Sequence, residues 1–451
     1  MSLRRLLSRF VPQGIKNTYH LAQAVAACAY FGFPAYRTVS SMAGRPAKKL
    51  QVIGVTGTNG KTTTTAFIVR ILERAGKKVA AASTIDFQIG EKKQVNVSKF
   101  TTLSPWQLQK FLREAAKAGC GYAVLETSSH ALDQHRVWGI PYAIAVITNV
   151  TREHLDYHET MEEYRRVKRK LFSIAERAVI NRDMEEPEYF RAHSGQPTVF
   201  YSTRDQHAHL FARKIELDFK GTEFMVDDTH FHLNIPGLFN IENALAALGV
   251  ARLLGIDFLV AAEALSGITG VPGRMELVPN AKNADIIIDY AVTPDAFEKL
   301  YASVLPLKIP GTKIIHVFGA CGERDRGKRP LLGETASGYA DIVILTNEDP
   351  YHEDPERIID DIEHGITKKK KDPARDTAQS AVGGYFRIFD RRAAIQKALA
   401  LADIGDIVLI TGKGAEETMA VGDERLPWND RRVIEEELGR PAAENADERE
   451  E

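Results

Sequence analysis

The apolar run from Leu50 to Val55 passes into Gly54-Val55-Thr56-Gly57-Thr58-Asn59-Gly60-Lys61-Thr62-Thr63, and a helical pattern follows at once. Strand, glycine-rich turn and helix N-terminus in that order commit this stretch to an α/β layout and give it the sequence of parts a triphosphate needs. Glycines let backbone N–H groups close around phosphate oxygens, and the helix dipole favours their charge. Lys61 can reach the β/γ-phosphates and the Thr62 hydroxyl can hold Mg²⁺. Gly57, Thr58, Asn59, Gly60, Lys61, Thr62 and Thr63 are therefore the candidates for binding ATP. Where the commonest form of this loop has glycine, the chain has Val55.

At 451 residues the chain is long enough for two or three domains of about 150 residues each. Strand-like runs at 51–55, 79–82, 122–125, 143–148 and 178–180 alternate with helical patterns at 63–75 and 106–118, which reads as a doubly wound, mostly parallel α/β domain over 49–272. Residues 199–235 alternate polar and apolar, so antiparallel strands are expected there. The breaker-rich stretch Ser266-Gly267-Ile268-Thr269-Gly270-Val271-Pro272-Gly273 marks a boundary. Strand patterns at 285–289, 313–318, 342–346 and 406–411, with helices at 294–304 and 391–402, predict a Rossmann-like domain over 273–441. Residues 368–372 read as an exposed loop and 442–451 as an acidic disordered tail.

A hydrophobic content of 44%, a charged content of 26% and a net charge of -1 argue against a dedicated nucleic-acid binder and a generally disordered chain. Cys28, Cys120 and Cys321 form no CxxC pair, which excludes a zinc ribbon or disulfide framework and fits a reducing cytoplasm. The first acidic residue is Glu73, whereas Arg4, Arg5, Arg9, Lys16, Arg37, Arg45, Lys48 and Lys49 precede it. Residues 1–48 thus form a short basic segment, open to three readings: a helix packed on the next domain, contact with an anionic substrate, or membrane-surface contact through residues 1–45. Its apolar stretch at 21–33 is too short and mixed to span a bilayer.

The pattern at 122–125 ends in Glu126 and the one at 143–148 leads to His154, so both side chains reach the strand edge where doubly wound folds bind ligands. Glu126, His154 and the Thr62 hydroxyl could share a Mg²⁺ whose shell phosphates and waters complete. Each alone also fits a capping or core role.

These residues belong to a longer series: Thr101-Thr102, Glu126-Thr127-Ser128-Ser129-His130-Ala131-Leu132, Gln134-His135-Arg136-Val137, Thr148-Asn149, His154-Leu155-Asp156-Tyr157-His158, Glu163-Tyr164 and Lys168-Arg169-Lys170-Leu171-Phe172. With the Gly-Thr-Asn-Gly-Lys-Thr loop, the series resembles the Mur ligase and folylpolyglutamate synthetase superfamily. Over residues 50–435 it is similar to the MurE type, which adds the third amino acid to UDP-N-acetylmuramoyl-dipeptide. The resemblance implies a monomeric, ATP-dependent ligase that activates a substrate carboxylate as an acyl phosphate and joins it to an amino acid. It implies that Lys61, Glu126, His154 and Lys168 are catalytic. Lys168 would be carbamylated and would hold Mg²⁺ together with Thr62, Glu126 and His154. Asn240 and Asn243 would contact adenine, Arg274 and Asp289 the rest of the nucleotide. Thr101, Thr102, Ser128 and Arg136 would meet the muramoyl peptide, and Arg329 and Glu416 the carboxylate and amine of the amino acid.

Three departures shape the substrate expectation. The family's Asp-Asn-Pro-Arg motif, tied to diaminopimelate selection, stands here as Glu348-Asp349-Pro350-Tyr351, so a cationic, lysine-like amino acid held by Glu348 and Asp349 is expected instead. Val292 and Ala415 occupy positions where the family commonly has histidine. The segment ahead of the phosphate loop is shorter than the family's uridine-nucleotide domain, which raises two alternatives: a lipid-linked or other γ-glutamyl acceptor, and a non-catalytic ATP-binding regulator.

Overall fold

In the computed structural model, which describes residues 12–31, 50–96, 101–191, 195–219, 221–366, 370–371 and 384–439, the chain divides into two units. One comprises Met1–Asn234 with Leu238–Thr269, the other Ile235–Gly237 with Gly270–Glu451.

In the first unit helix α1 (Gln13–Phe31) precedes β1 (Gln51–Thr56) and α2 (Lys61–Arg74), the elements that flank the phosphate loop. The Thr62–Thr65 run is a poor intrinsic helix former. All four threonines are buried, so packing on the sheet carries the first turn of α2. Then come β2 (Val79–Ala82), β3 (Asp86–Ile89), β4 (Lys92–Val95), α3 (Pro105–Lys117) and β5 (Tyr122–Glu126). Ser104 starts α3 through a capping box with Gln107, and Pro105 follows, which satisfies two helix-end donors. Next are α4 (Ser129–Asp133), β6 (Tyr142–Ile147), α5 (Leu155–His158), α6 (Met161–Ile174), β7 (Ala175–Asn181), β8 (Thr198–Ser202) and β9 (Leu210–Phe211). The unit closes with β10 (Arg213–Asp218), β11 (Gly221–Val226), β12 (Thr229–Leu233), α7 (Leu238–Leu254) and α8 (Phe258–Ser266).

The main sheet has nine strands in the order β4-β3-β2-β5-β1-β6-β7-β8-β9. Central β1 lies parallel to both β5 and β6, with Val55 opposite Glu126 and Thr56 opposite Ile147. That register brings the phosphate loop, Glu126 and the segment after β6 to one carboxyl edge. Val52, Leu125, Ile147, Val167 and Leu171 lie in the core beneath it. One expectation is corrected here. Only β10, β11 and β12 form the antiparallel sheet, whereas Thr198–Ser202 joins the main sheet parallel to β7; its alternating residues, Val199 to Ser202, are all buried. The hairpin β3–β4 adds an antiparallel edge.

The second unit contains β13 (Glu276–Val278), β14 (Asp285–Asp289), α9 (Pro294–Val304), β15 (Ile314–Phe318), α10 (Lys328–Tyr339), β16 (Ile342–Leu345) and α11 (Pro355–Glu363). It continues through β17 (Lys370–Lys371), β18 (Gly384–Arg387), α12 (Arg391–Leu401), β19 (Ile407–Thr411), β20 (Thr418–Val421), β21 (Glu424–Pro427) and α13 (Asp430–Glu437). Its seven-stranded sheet runs β13-β14-β19-β15-β16-β18-β17, parallel except for β13 against β14, and β20–β21 is a separate hairpin. Ile286, Ile315, Ile344 and Val408 fill the centre. Part of the loop expected at 368–372 is corrected: Lys370 and Lys371 pair with Gly384 and Tyr385. The expected tail at 442–451 and most of the basic segment, residues 1–11 and 32–48, lie outside the described residues. Among the described residues no helix is long and apolar enough to cross a membrane.

Candidate functional site

The phosphate loop is shaped by two glycines and anchored by its neighbours. Gly57 has φ 148 and Gly60 has φ 82, values other residues rarely adopt. A Cβ at Gly57 would strike the Thr148 hydroxyl and one at Gly60 the Asn243 amide. The Thr58 N–H donates to the Asn149 carbonyl and the Asn59 N–H to Asn149 Oδ1, both at 2.9 Å. The Thr148 hydroxyl donates to the Asn59 carbonyl at 2.6 Å. Thr64 donates to Asn243 Oδ1 at 3.2 Å, and Asn243 Nδ2 to Asn240 Oδ1 at 3.2 Å. Asn240 and Asn243 are thus buried against the first turn of α2, where they hold the loop's shape. Lys61 Nζ donates to the carbonyls of Thr58 at 2.8 Å and Gly57 at 3.2 Å, which keeps its charge beside the loop. Thr62 and Thr63 are buried in the same turn.

Lys168, on α6, is 1% exposed. Its Nζ donates to the Gly57 carbonyl at 2.8 Å and lies 4.3 Å from the centre of the Tyr164 ring. Burial, and then repulsion from Lys61, hold this amine well below the ordinary lysine range, because both disfavour its charged form. The Tyr164 hydroxyl lies 3.3 Å from the Thr58 hydroxyl, and its ring packs edge-on to His154. His154 caps α5 from the left-handed region at φ 57 and meets the His130 ring at 4.8 Å. The loop, Lys168 and His154 are therefore joined through Tyr164.

Glu126 ends β5 at 1% exposure. Its two oxygens accept from the Thr84 N–H at 3.0 Å and the Thr84 hydroxyl at 2.9 Å. Thr102 donates to the Glu126 carbonyl at 2.9 Å and to Ser128 Oγ at 3.2 Å, and Ser128 caps α4. Thr101 precedes this pair, half-buried. Arg136 donates to Gln134, and burial pushes its pKa below the usual arginine range. Helix α1 meets the same side. Asn17 donates to Asp133 at 3.0 Å, Gln13 to the Tyr157 hydroxyl at 2.7 Å, and Tyr157 to Asp133 at 2.9 Å. No sequence pattern pointed to Thr84 or to these α1 contacts, since each partner is remote along the chain.

In the second unit Arg274 lies 4.4 Å over the Tyr290 ring. Asp289 accepts the N–H groups of Met275 and Ala291, both at 2.8 Å. Tyr290 donates to Glu416 at 3.2 Å. Arg329 is corrected by the structure: it is fully buried, with Nη1 on Glu353 and Asp361 and Nη2 on Glu353, all at 2.8 Å. The Arg329 guanidinium holds Glu353 down to about 2, so it secures the loop and α11 and is not placed to grip a substrate carboxylate.

Glu348 and Asp349 are corrected as well. Asp349 Oδ1 accepts from Lys413 Nζ at 2.8 Å and from the Ala420 N–H at 2.6 Å, and Lys413 also reaches Glu416. Burial, and then Asp349, push Glu348 up to about 7. One acid is neutralised by a resident lysine and the other is buried and near its midpoint at neutral pH, so the pair offers little to a substrate ammonium.

Among the described residues no three His, Cys, Asp or Glu side chains stand together as a metal site.

Residues 55–251 match the Mur ligase middle domain and residues 273–414 the Mur ligase glutamate ligase domain. The chain is 36% identical over 442 residues to the UDP-N-acetylmuramoyl-L-alanyl-D-glutamate–2,6-diaminopimelate ligase of Geobacillus thermodenitrificans, covering 95% of this chain and 84% of that one. It is 40% identical over 407 residues to the protein of the same description from Caldanaerobacter subterraneus, covering 89% and 81%. A UDP-N-acetylmuramyl-tripeptide synthetase of Roseiflexus is 39% identical over 408 residues, covering 86% and 78%. A solved 2,6-diaminopimelate ligase superposes with a TM-score of 0.58 at 33% identity over 86% of this chain and 78% of that one. These descriptions overturn the expected preference for a lysine-like amino acid, and the burial of Glu348 together with the pairing of Asp349 with Lys413 gives the physical reason.

Proposed function

The chain belongs to the Mur ligase family, and from that premise we propose that it joins diaminopimelate to the terminal D-glutamyl carboxylate of UDP-N-acetylmuramoyl-L-alanyl-D-glutamate, with cleavage of ATP to ADP and phosphate. The reaction belongs to peptidoglycan precursor synthesis, in the cytoplasm. The observation that carries this reading is the joining of Lys61, Lys168 and His154 around one phosphate loop, on a chain related along most of its length to diaminopimelate ligases.

The phosphate loop would hold the triphosphate, with Lys61 beside the γ-phosphoryl group. A substrate carboxylate oxygen attacks the γ-phosphorus and ADP leaves, giving an acyl phosphate. The amine of the incoming amino acid then attacks the acyl carbon, and the tetrahedral intermediate expels phosphate as the amine loses a proton. Thr62, Glu126, His154 and a carbamylated Lys168 would hold Mg²⁺, which when bound neutralises charge on the phosphoryl oxygens. Burial that pushes the Lys168 pKa down supports carbamylation, because only the unprotonated amine adds to CO₂. Asn240 and Asn243 would keep the loop open for the phosphates, with Arg274 and Asp289 offering polar contacts to the rest of the nucleotide. Thr101, Thr102, Ser128 and Arg136 would line the acceptor side, and Glu416, which shares Lys413 with Asp349 but is half-buried where Asp349 is buried, would receive the amino acid's ammonium.

Lys61→Ala tests the ATP assignment. The half-buried ammonium contributes little to packing, so amino-acid-dependent phosphate release is expected to disappear while the melting temperature stays the same. Undiminished turnover in this variant would remove the assignment.

A further inference from the structure

Diaminopimelate differs from lysine by a carboxylate on the distal carbon, so an enzyme that selects it must offer a cation there. Tyr351 follows the buried acids and carries no charge. The structure ties that residue to the β20–β21 hairpin: the Tyr351 N–H donates to the Ala420 carbonyl at 3.1 Å, the Gly422 N–H to the Tyr351 carbonyl at 2.7 Å, and the Ala420 N–H to Asp349 at 2.6 Å. These bonds hold Tyr351 at φ 51, an outlier for a bulky residue. Arg425, paired with Ala420 across the hairpin, lies with its guanidinium carbon 5.2 Å from the centre of the Tyr351 ring.

Arg425 is exposed, and its hydrogen bond goes to the Glu424 carbonyl at 3.2 Å. Among the described residues it has no carboxylate partner. A guanidinium stacked on an aromatic face keeps its N–H edge available and loses less side-chain freedom when it binds an anion. The acids that could claim it are engaged, since Lys413 neutralises Asp349 and Glu348 is buried.

We propose that Arg425, oriented on Tyr351, reads the distal carboxylate of diaminopimelate and so sets the choice between diaminopimelate and lysine. The inference rests on the reading that diaminopimelate is the amino acid added. Arg425 is a specificity residue: the distal carboxylate is the only part of the substrate it needs to touch.

Arg324 is the other arginine whose charge acts on Tyr351, so the test is kcat/KM for meso-diaminopimelate and for L-lysine in the wild type, Arg425→Gln, Arg425→Lys, Arg324→Gln and the double variant Tyr351→Arg/Arg425→Gln. Arg425→Gln is expected to lower kcat/KM for diaminopimelate by about ten- to a hundredfold, as loss of a charged hydrogen bond does, and to leave that for lysine unchanged. Arg425→Lys should fall between, and the double variant, with a guanidinium at position 351, should regain the diaminopimelate preference. A wild type that uses diaminopimelate, paired with an unchanged diaminopimelate-to-lysine ratio in Arg425→Gln, overturns the inference alone. A ratio that moves with Arg324→Gln in place of Arg425→Gln also overturns it. A wild type that does not ligate diaminopimelate overturns the parent reading and this inference with it.

Discussion

Replacing Glu348 by glutamine turns a buried acid into a neutral group of nearly the same shape. The wild-type side chain is 6% exposed. Burial first, and the neighbouring Asp349 second, raise its pKa from 4.5 to about 7, against the pull of Lys413, Lys328 and Arg391. Below the lower value both folded and unfolded chains hold the proton. Between the two values the unfolded chain has released it and the folded chain still binds it, so stability falls as pH rises. Above the upper value both are ionised and the full cost is present. A gap of about 2.5 pH units at about 1.4 kcal/mol each gives a cost of ~3 kcal/mol. Glutamine does not titrate, so Glu348→Gln lacks this slope. The assay is urea unfolding at pH 5 and pH 8, followed by the fluorescence of Trp428. Trp106 and Trp138, the chain's other two tryptophans, lie in the first unit and are replaced by phenylalanine in both proteins, so that the signal reports the second unit. Between the two pH values the wild type is expected to lose about 2–3 kcal/mol more than the variant. Parallel pH profiles would refute the argument that burial holds Glu348 protonated.

Lys168→Ala removes the buried amine beside Gly57 and should lower ligation by at least about tenfold, with partial recovery when acetate or formate stands in for the lost carbamate; full activity in the variant would contradict the metal-holding role. Arg329→Ala strips Glu353 and Asp361 of a buried partner and should cost about 3–5 kcal/mol, read as a lower melting temperature. A variant that melts like the wild type but shows a raised amino-acid KM would restore the carboxylate-gripping role read from the sequence.

The α/β architecture was legible because its signals are local. A strand flows into a glycine turn, an apolar run ends in Glu126, and breakers cluster at 266–273. Lys168 was legible only through resemblance: among Arg165, Arg166, Arg169 and Lys170 it reads as one more solvated charge, yet it faces inward and is buried against Gly57. Residues 199–202 were misread because strand orientation depends on the neighbour, and the neighbour is parallel β7. The errors in the second unit share one cause. Arg329, Glu348 and Asp349 carry the charge that substrate binding calls for, but the fold pairs Arg329 with Glu353 and Asp361, pairs Asp349 with Lys413, and buries Glu348. A motif supplies residue types, and only packing decides whether a charge is available.

The central claim is amide formation to diaminopimelate at the expense of ATP. Purified protein is to be incubated with UDP-N-acetylmuramoyl-L-alanyl-D-glutamate, ATP, Mg²⁺ and equal concentrations of meso-diaminopimelate and L-lysine, with products weighed by mass spectrometry and phosphate counted. One phosphate released per tripeptide formed and a product mass that carries diaminopimelate are expected. A lysine-containing product, or ATP cleavage without any amide product, would contradict the claim.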